Sequence, residues 1–372
     1  GRFRTLENIR AYARKKLQES GMEDRFMRKH ASHFANQAAE ADARLRANDE
    51  TALAFFEEEH DNLRLALAFL ERADGEAFLQ LAASCSWYWF VRGHMSEGRS
   101  WLTRALTAAG CEAQPALRAV ALMRIGSIAE QQGDLDVAEQ ALDECVNVRR
   151  SLGDTAGTAA GLCNLGNVFR ARNNLLRAKE IYAEVLAIGR AIDSDEDCAS
   201  ALCNLGVVAA IEEDYDTARA FLIESLRLAK KLNIKYGQAI VEGALGAVAS
   251  DTGDLVSACS YLWSSFEIAR EMDSPEGVLS QLEELAFVAA RLRRFDVGVY
   301  VFAAAAALRD THGIDVREQA ARREKILRSL SESLDRETFK REYEAGLAAT
   351  SDEIHDRSWQ EIVLAAGQRD QP

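Results

Sequence analysis

The sequence predicts an all-α solenoid, and three observations carry that expectation. The first is self-similarity at a shift of forty residues. It superimposes Ile125-Gly126, Leu165-Gly166, Leu205-Gly206, Leu245-Gly246 and Leu285-Ala286, and also the turn pairs Gly133-Asp134, Asn173-Asn174, Glu213-Asp214, Gly253-Asp254 and Arg293-Arg294. The second is helical periodicity inside each unit. Residues 155–194 place Leu162, Leu165, Gly166 and Phe169 at three- and four-residue spacing, then Leu175, Ala178, Tyr182, Val185 and Leu186. The third is that three prolines and no strand-like alternation in 372 residues leave helix as the dominant element. A fixed period in this range marks a repeat architecture in which each unit buries its apolar face against its neighbours.

Taken in order, residues 3–19 put Phe3, Leu6, Ile9, Ala13 and Leu17 on one helical stripe, stopped by Ser20-Gly21. A second helix is expected from about Asp24, with Phe26, Phe34, Ala38 and Ala41 facing inward, and a third over 50–72 with a break near His60-Asp61-Asn62. Six repeats then fill residues 75–314. In the first, 75–114, Gly93 and Leu102 align with Gly133 and Leu142, but Cys85-Ser86 replaces Leu-Gly. The aromatic run Trp87-Tyr88-Trp89-Phe90, with Trp101, reads as the core where the N-terminal helices join that repeat; a ligand-stacking platform is the alternative.

In the later repeats a large apolar residue is followed three positions on by a small one, as in Leu135/Ala138, Tyr215/Ala218 and Phe295/Gly298, and then by Leu142, Tyr182, Leu222, Leu262 or Phe302. The Gly and Ala positions let two backbones approach while the larger side chains fill the space between them. Asp154, Ser194 and Ser274 fit N-caps, and Pro115 and Pro275 share the position just after a cap. Residues 1–74 thus form a helical lead-in, 75–314 the array and 315–372 a C-terminal helical cap.

Composition narrows the function classes. The chain is 48% hydrophobic and carries a net charge of −14; residues 1–30 hold nine Lys/Arg against four acids, so the remainder carries −19. An acidic array is a poor partner for phosphate backbones, and no direct nucleic-acid binding by this region is expected. Seven cysteines show no CxxC pair and read as small apolar residues in a reducing, cytoplasmic setting. No apolar run reaches membrane-spanning length. His30 and His33 beside Phe34 lack further ligands at metal spacing, and the acid pairs Glu212-Glu213 and Glu283-Glu284 read as solvated helix faces. No catalytic residue, metal or cofactor is expected.

Leu165, Gly166, Ala178 and Tyr182 resemble the signature positions of the tetratricopeptide repeat, although each unit here is six residues longer than the usual 34. That resemblance implies a right-handed superhelix with the first helix of each unit lining its inner wall. The flanks resemble a narrower group. Arg4-Thr5-Leu6-Glu7-Asn8-Ile9-Arg10, Arg28-Lys29-His30-Ala31 and Glu59-His60-Asp61-Asn62-Leu63-Arg64 are similar to the segment after the nucleotide-binding domain of bacterial STAND-type ATPases. Leu330-Ser331-Glu332-Ser333-Leu334-Asp335 and Tyr343-Glu344-Ala345-Gly346 are similar to the helical ending of the same family, whose members are often fused to LuxR-type or winged-helix DNA-binding domains. The chain holds no phosphate-loop motif, so the resemblance implies the sensor portion of a longer bacterial signal-transduction ATPase or transcriptional regulator. A free-standing adaptor that scaffolds two proteins is the other reading.

By register, the resemblance places Trp87, Phe90, Met123, Ser127, Glu130, Cys163, Asn167 and Arg170 on the inner wall, followed by Cys203, Val207, Ala247, Asp251, Phe287 and Arg291. The expected occupant is a protein, a peptide or a small-molecule inducer. Asn167 and Asn204 offer amides that can donate to and accept from a peptide backbone. Asn164 and Asn204, within a repeated Cys-Asn-Leu-Gly, equally fit a helix-bridging role. Cys163, Ile240 and Ala244 stand where the family's carboxylate clamp has basic residues, which argues against recognition of a chaperone-type tail, while Arg170 can meet an acidic group.

Overall fold

The structure, a computed structural model, describes residues 12, 15–46, 49–108, 114–312, 320–358 and 361–362. Among these, every regular element is a helix. The helix expected over 3–19 lies outside the described residues except near its end, where residues 15–19 are helical and the chain turns at Gly21 with φ of 65°. Contacts gather into two units, residues 1–181 and 182–372.

The first unit opens with α1 (Glu23–Arg46), a 3-10 turn (Glu50–Ala52), α2 (Leu53–Glu58) and α3 (His60–Ala73). The break expected near His60 falls at Glu59. α1 packs on α3 through Ala31, Ala38 and Ala41, with Met27 and Phe34 partly buried on the same stripe. Phe26 was expected on that face and is instead 49% exposed. It lies one position, about 100° of helix rotation, off the 27-31-34-38-41 stripe.

Five helices follow at twenty-residue intervals: α4 (Gly75–Val91), α5 (Met95–Ala108), α6 (Pro115–Gln131), α7 (Leu135–Ser151) and α8 (Thr155–Ala171); α9 (Leu175–Ala191) crosses the unit boundary. The divergent first repeat therefore keeps the period. Its aromatic run divides: Tyr88 and Trp89 are among the most deeply buried side chains, Phe90 is half-buried against the core, and Trp87 is exposed. The close approach within a helix pair is explicit at Gly126, where an added Cβ would lie 2.5 Å from Leu142 Cγ.

The second unit continues the spacing with α10 (Asp195–Ile211), α11 (Tyr215–Lys231), α12 (Lys235–Thr252), α13 (Leu255–Glu271), α14 (Pro275–Arg291) and α15 (Phe295–His312). Gly206 against Leu222 and Gly246 against Leu262 repeat the first unit's contact, at 2.7 and 2.6 Å for the added Cβ. Ser225 and Ser265 each donate to a carbonyl of the preceding helix, Ala199 and Ala239, at 2.7 Å. The unit closes with α16 (Ala320–Ser333), α17 (Arg336–Leu347) and α18 (Ser351–Ser358) packed on α15. They bury α15 nearly all round, and Arg357 lies 4.3 Å over the Tyr300 ring while pairing with buried Glu342 at 2.8 Å.

Both units stop their helices in the same way. The second residue after the helix adopts a left-handed conformation at Gly133 (φ 77°), Gly153 (φ 68°), Glu213 (φ 63°), Asn233 (φ 55°) and Arg293 (φ 62°). At the first of these, Gly133 N–H reaches the Glu130 carbonyl and Asp134 N–H the Ala129 carbonyl, at 2.9 and 2.8 Å. This double closure satisfies carbonyls that would otherwise be orphaned, and it sends the chain back antiparallel.

Candidate functional site

The first helix of each pair contacts the first helix of the next, α4 with α6 and α6 with α8 in the first unit, α10 with α12 and α12 with α14 in the second. One face of these helices is core. Of the register-predicted residues on these helices, Cys203 is buried in the core and the others are half-buried or exposed.

In the first unit Met123, Ser127 and Glu130 rise along α6, and Cys163, Asn167 and Arg170 along α8, all half-buried. The spacing of four and then three residues holds each set on one helix face. Trp87 and Phe90 on α4 stack at 5.8 Å, and the Arg124 guanidinium of α6 lies 4.9 and 5.3 Å above their rings. Sequence reasoning did not single out Arg124; its place one residue after Met123 was the available signal. Ser127 Oγ donates to the Met123 carbonyl at 3.0 Å and meets Asn164 Oδ1 at 3.4 Å, while Asn164 Nδ2 donates to the Ala160 carbonyl at 2.9 Å. Asn164 is thus engaged in joining α8 to α6. Glu130, Cys163 and Asn167 also have interactions of their own. The Nε–H groups of Arg124, Arg149 and Arg170 are buried and meet no acceptor among the described residues.

In the second unit Cys203 is buried, Asn204 and Val207 are half-buried, and Ile211 and Ile240 are exposed beside half-buried Ala210, Ala244 and Ala247. The wall of α10 and α12 is therefore mostly apolar, with Asp251 exposed at the end of α12. Farther on, Arg291 donates to the Ser250 carbonyl at the end of α12 and lies 6.0 Å from the Phe287 ring centre. Glu283, expected to be solvated, is only 4% exposed. It accepts from Arg309 of α15 and lies 3.7 Å from Arg323 of α16. An acid on a buried face is tolerated when cations approach from two neighbouring helices.

Among the described residues no three His, Cys, Asp or Glu converge as a metal site. Burial pushes the Cys259 thiol up to about 12 and raises that of Cys85, so both are unreactive packing groups. His30 lies 3.4 Å from Asn62 Oδ1 and 4.6 Å from the Phe34 ring. No helix of the described residues is long and apolar enough to cross a membrane.

Residues 117–191 match the tetratricopeptide repeat family. The repeats over this span are of the tetratricopeptide type. Curated proteins described as HTH-type transcriptional regulators in Mycobacterium tuberculosis and Mycobacterium bovis are 38% identical to the chain over 107 residues, 28% of this chain. The chain spans only 12% of the length of these relatives. Among solved structures, a STAND protein with a tetratricopeptide repeat sensor from Pyrococcus horikoshii aligns with 91% of this chain and 55% of its own, at 14% identity and a TM-score of 0.50. The Rap conjugation gene regulator of plasmid pLS20, solved with a Phr peptide, aligns with 86% of this chain and 98% of its own, at 12% identity and a TM-score of 0.53. At such identities the two structures establish a shared repeat fold.

Proposed function

We propose that this chain is the non-catalytic, ligand-sensing and protein-interaction arm of a bacterial STAND-type regulator. The observation that carries the reading is that in each unit the first helices keep polar or apolar residues only partly covered, Trp87, Ser127, Asn167 and Arg170 in the first and Val207 in the second. A protein, peptide or small-molecule inducer docks on these helices. An upstream nucleotide-binding domain in the cytoplasmic full-length protein is the second partner, and nucleic acid is contacted by another domain. The mycobacterial regulators and the Pyrococcus sensor protein support this assignment by their descriptions; the peptide-bound Rap structure supports the choice of ligand.

The arm works by differential affinity. It holds the nucleotide-binding domain in one state, and an inducer that favours the released state shifts the equilibrium. Removing residues 75–314 from the full-length parent is expected to speed nucleotide exchange by about tenfold, within the usual range of coupling energies. An exchange rate unchanged by the deletion contradicts the proposal and favours a free-standing adaptor.

A further inference from the structure

At one end of the second unit, the turns that join α11 to α12 and α13 to α14 expose apolar side chains. The C-cap residues there are Leu232 and Met272, both exposed, and Tyr236 in the first turn of α12 is 60% exposed. An apolar residue at a helix end ordinarily covers that end and leaves the surface. Leu292, the C-cap of α14 at the opposite end of the unit, does so and is buried. Leu232 and Met272 do so only in part. The two turns stand side by side, since Lys235 at the start of α12 lies 3.6 Å from Glu271 at the end of α13.

Charge alternates along this edge. Residues 230–236 hold Lys230, Lys231 and Lys235 and no acid, a balance of +3. Residues 270–276 hold Glu271, Asp273 and Glu276 against Arg270, a balance of −2. The three lysine side chains remain more than half exposed although each meets an acid, Glu242, Asp195 and Glu271 in turn. An ammonium carries three donors, so each lysine has capacity for a second carboxylate. Asp273 and Glu276 are exposed and hold no cation among the described residues. Residues 190–196 also balance to −2, from Arg190 against Asp193, Asp195 and Glu196, but Asp195 is already held by Lys231.

A complementary occupant is apolar at two points, acidic opposite the lysines and basic opposite the acids. The same edge of a second copy meets all three conditions when a twofold axis passes between the two turns. Each +3 turn then faces a −2 turn, twice over, whereas laying each turn on its own equivalent would set lysine against lysine. Closed twofold pairs are the commonest homo-oligomers, and such a face must complement itself. Two chains of charge −14 repel one another, so contact settles where local charges match.

We propose that two copies of this chain associate antiparallel along this edge, Leu232 and Tyr236 of each against Met272 of the other, with Lys231 and Lys235 facing the other copy's Asp273 and Glu276. Sedimentation velocity of the whole chain is expected to show a reversible dimer with a dissociation constant of about 10–100 μM, the weak range that suits a contact of two turns per copy. Lys231→Glu with Lys235→Glu, and separately Glu271→Lys with Asp273→Lys, are each expected to weaken the dimer at least about tenfold. An equimolar mixture of the two variants is expected to restore it, because each reversed turn meets the other's. Leu232→Asp is expected to weaken it as well, and Ile223→Asp, exposed in the middle of α11, to leave it unchanged.

A chain that stays monomeric throughout the range overturns the proposal. So does a dimer that survives both reversals, or a mixture that does not recover it. Carbodiimide cross-linking of unsubstituted light and heavy isotope-labelled chains keeps the test independent of how the variants fold. It is expected to join Lys231 or Lys235 of one copy to Asp273 or Glu276 of the other, and cross-linked dimers that lack this junction contradict the contact.

Discussion

In the first unit the wall helices α6 and α8 present Ser127, Glu130, Asn167 and Arg170; in the second, α10 and α12 present Val207, Ala210, Ile211, Ile240, Ala244 and Ala247. The backbone beneath is the same. Gly126 meets Leu142 as Gly206 meets Leu222 and Gly246 meets Leu262, and the helices begin at the same intervals. The contrast teaches which positions the fold constrains. Glycine and leucine between paired helices are set by a gap into which no further carbon fits, whereas wall residues, of which Met123, Ala210 and Ala244 only edge the core, differ in chemistry from one unit to the other.

The sharpest way to break this contrast is at Glu283, which occupies in α14 the position that Cys163 holds in α8. Glu283→Ala leaves Arg309 and Arg323 without their shared acid and is expected to cost about 3 kcal/mol. Cys163→Ala is expected to cost less than about 1 kcal/mol. Urea unfolding of the two variants measures both, and equal costs mean that the buried pair contributes nothing specific.

Next in size are Gly126→Ala and Gly246→Ala, one in each unit. Each pushes a methyl into a buried leucine and is expected to destabilise by about 1–3 kcal/mol. Similar losses sharpen the claim of a common skeleton; a neutral Gly246→Ala restricts the tight contact to the first unit. Smaller still, Asn167→Ala and Asn204→Ala are each expected to weaken a peptide selected against the whole chain by about 1 kcal/mol, with helix content unchanged in circular dichroism. Retained affinity in the double variant removes the amide grip.

The smallest expected effect is a pH dependence confined to the first unit. Burial lowers the pKa of His60, with Arg64 and His94 adding to the shift and Glu97, 3.3 Å away, opposing it. The folded state therefore binds the His60 proton less readily than the unfolded chain does. Stability is full above the unfolded value near 6.5, falls as pH drops through it, and levels off below the folded value. His60→Phe is expected to flatten that slope in melts between about pH 7 and 5; an unchanged slope assigns the dependence to another group.

The array was legible because its constraint is local and periodic. Leu165-Gly166 and its copies mark the close approach of helices, and Asp154, Ser194 and Ser274 do cap, their side chains accepting from the N–H of Gly157, Asp197 and Gly277. Legibility ended where neighbours decide. Trp87 is as aromatic as Tyr88 and Trp89, but its helix phase exposes it beside Arg124, while Phe90 touches both Arg124 and the core. Glu283 looked solvated because its cations arrive from α15 and α16, 26 and 40 residues later. Phe26 was assigned inward on hydrophobicity alone, whereas small alanines let α1 sit close to α3.

The account's central claim is that this array is the sensing arm of a larger regulator, and the intact mass of the native polypeptide from its source cell tests it most directly. The account predicts a mass well above that of the 372 residues, with a phosphate-loop domain upstream. A native polypeptide no larger than this chain would contradict it.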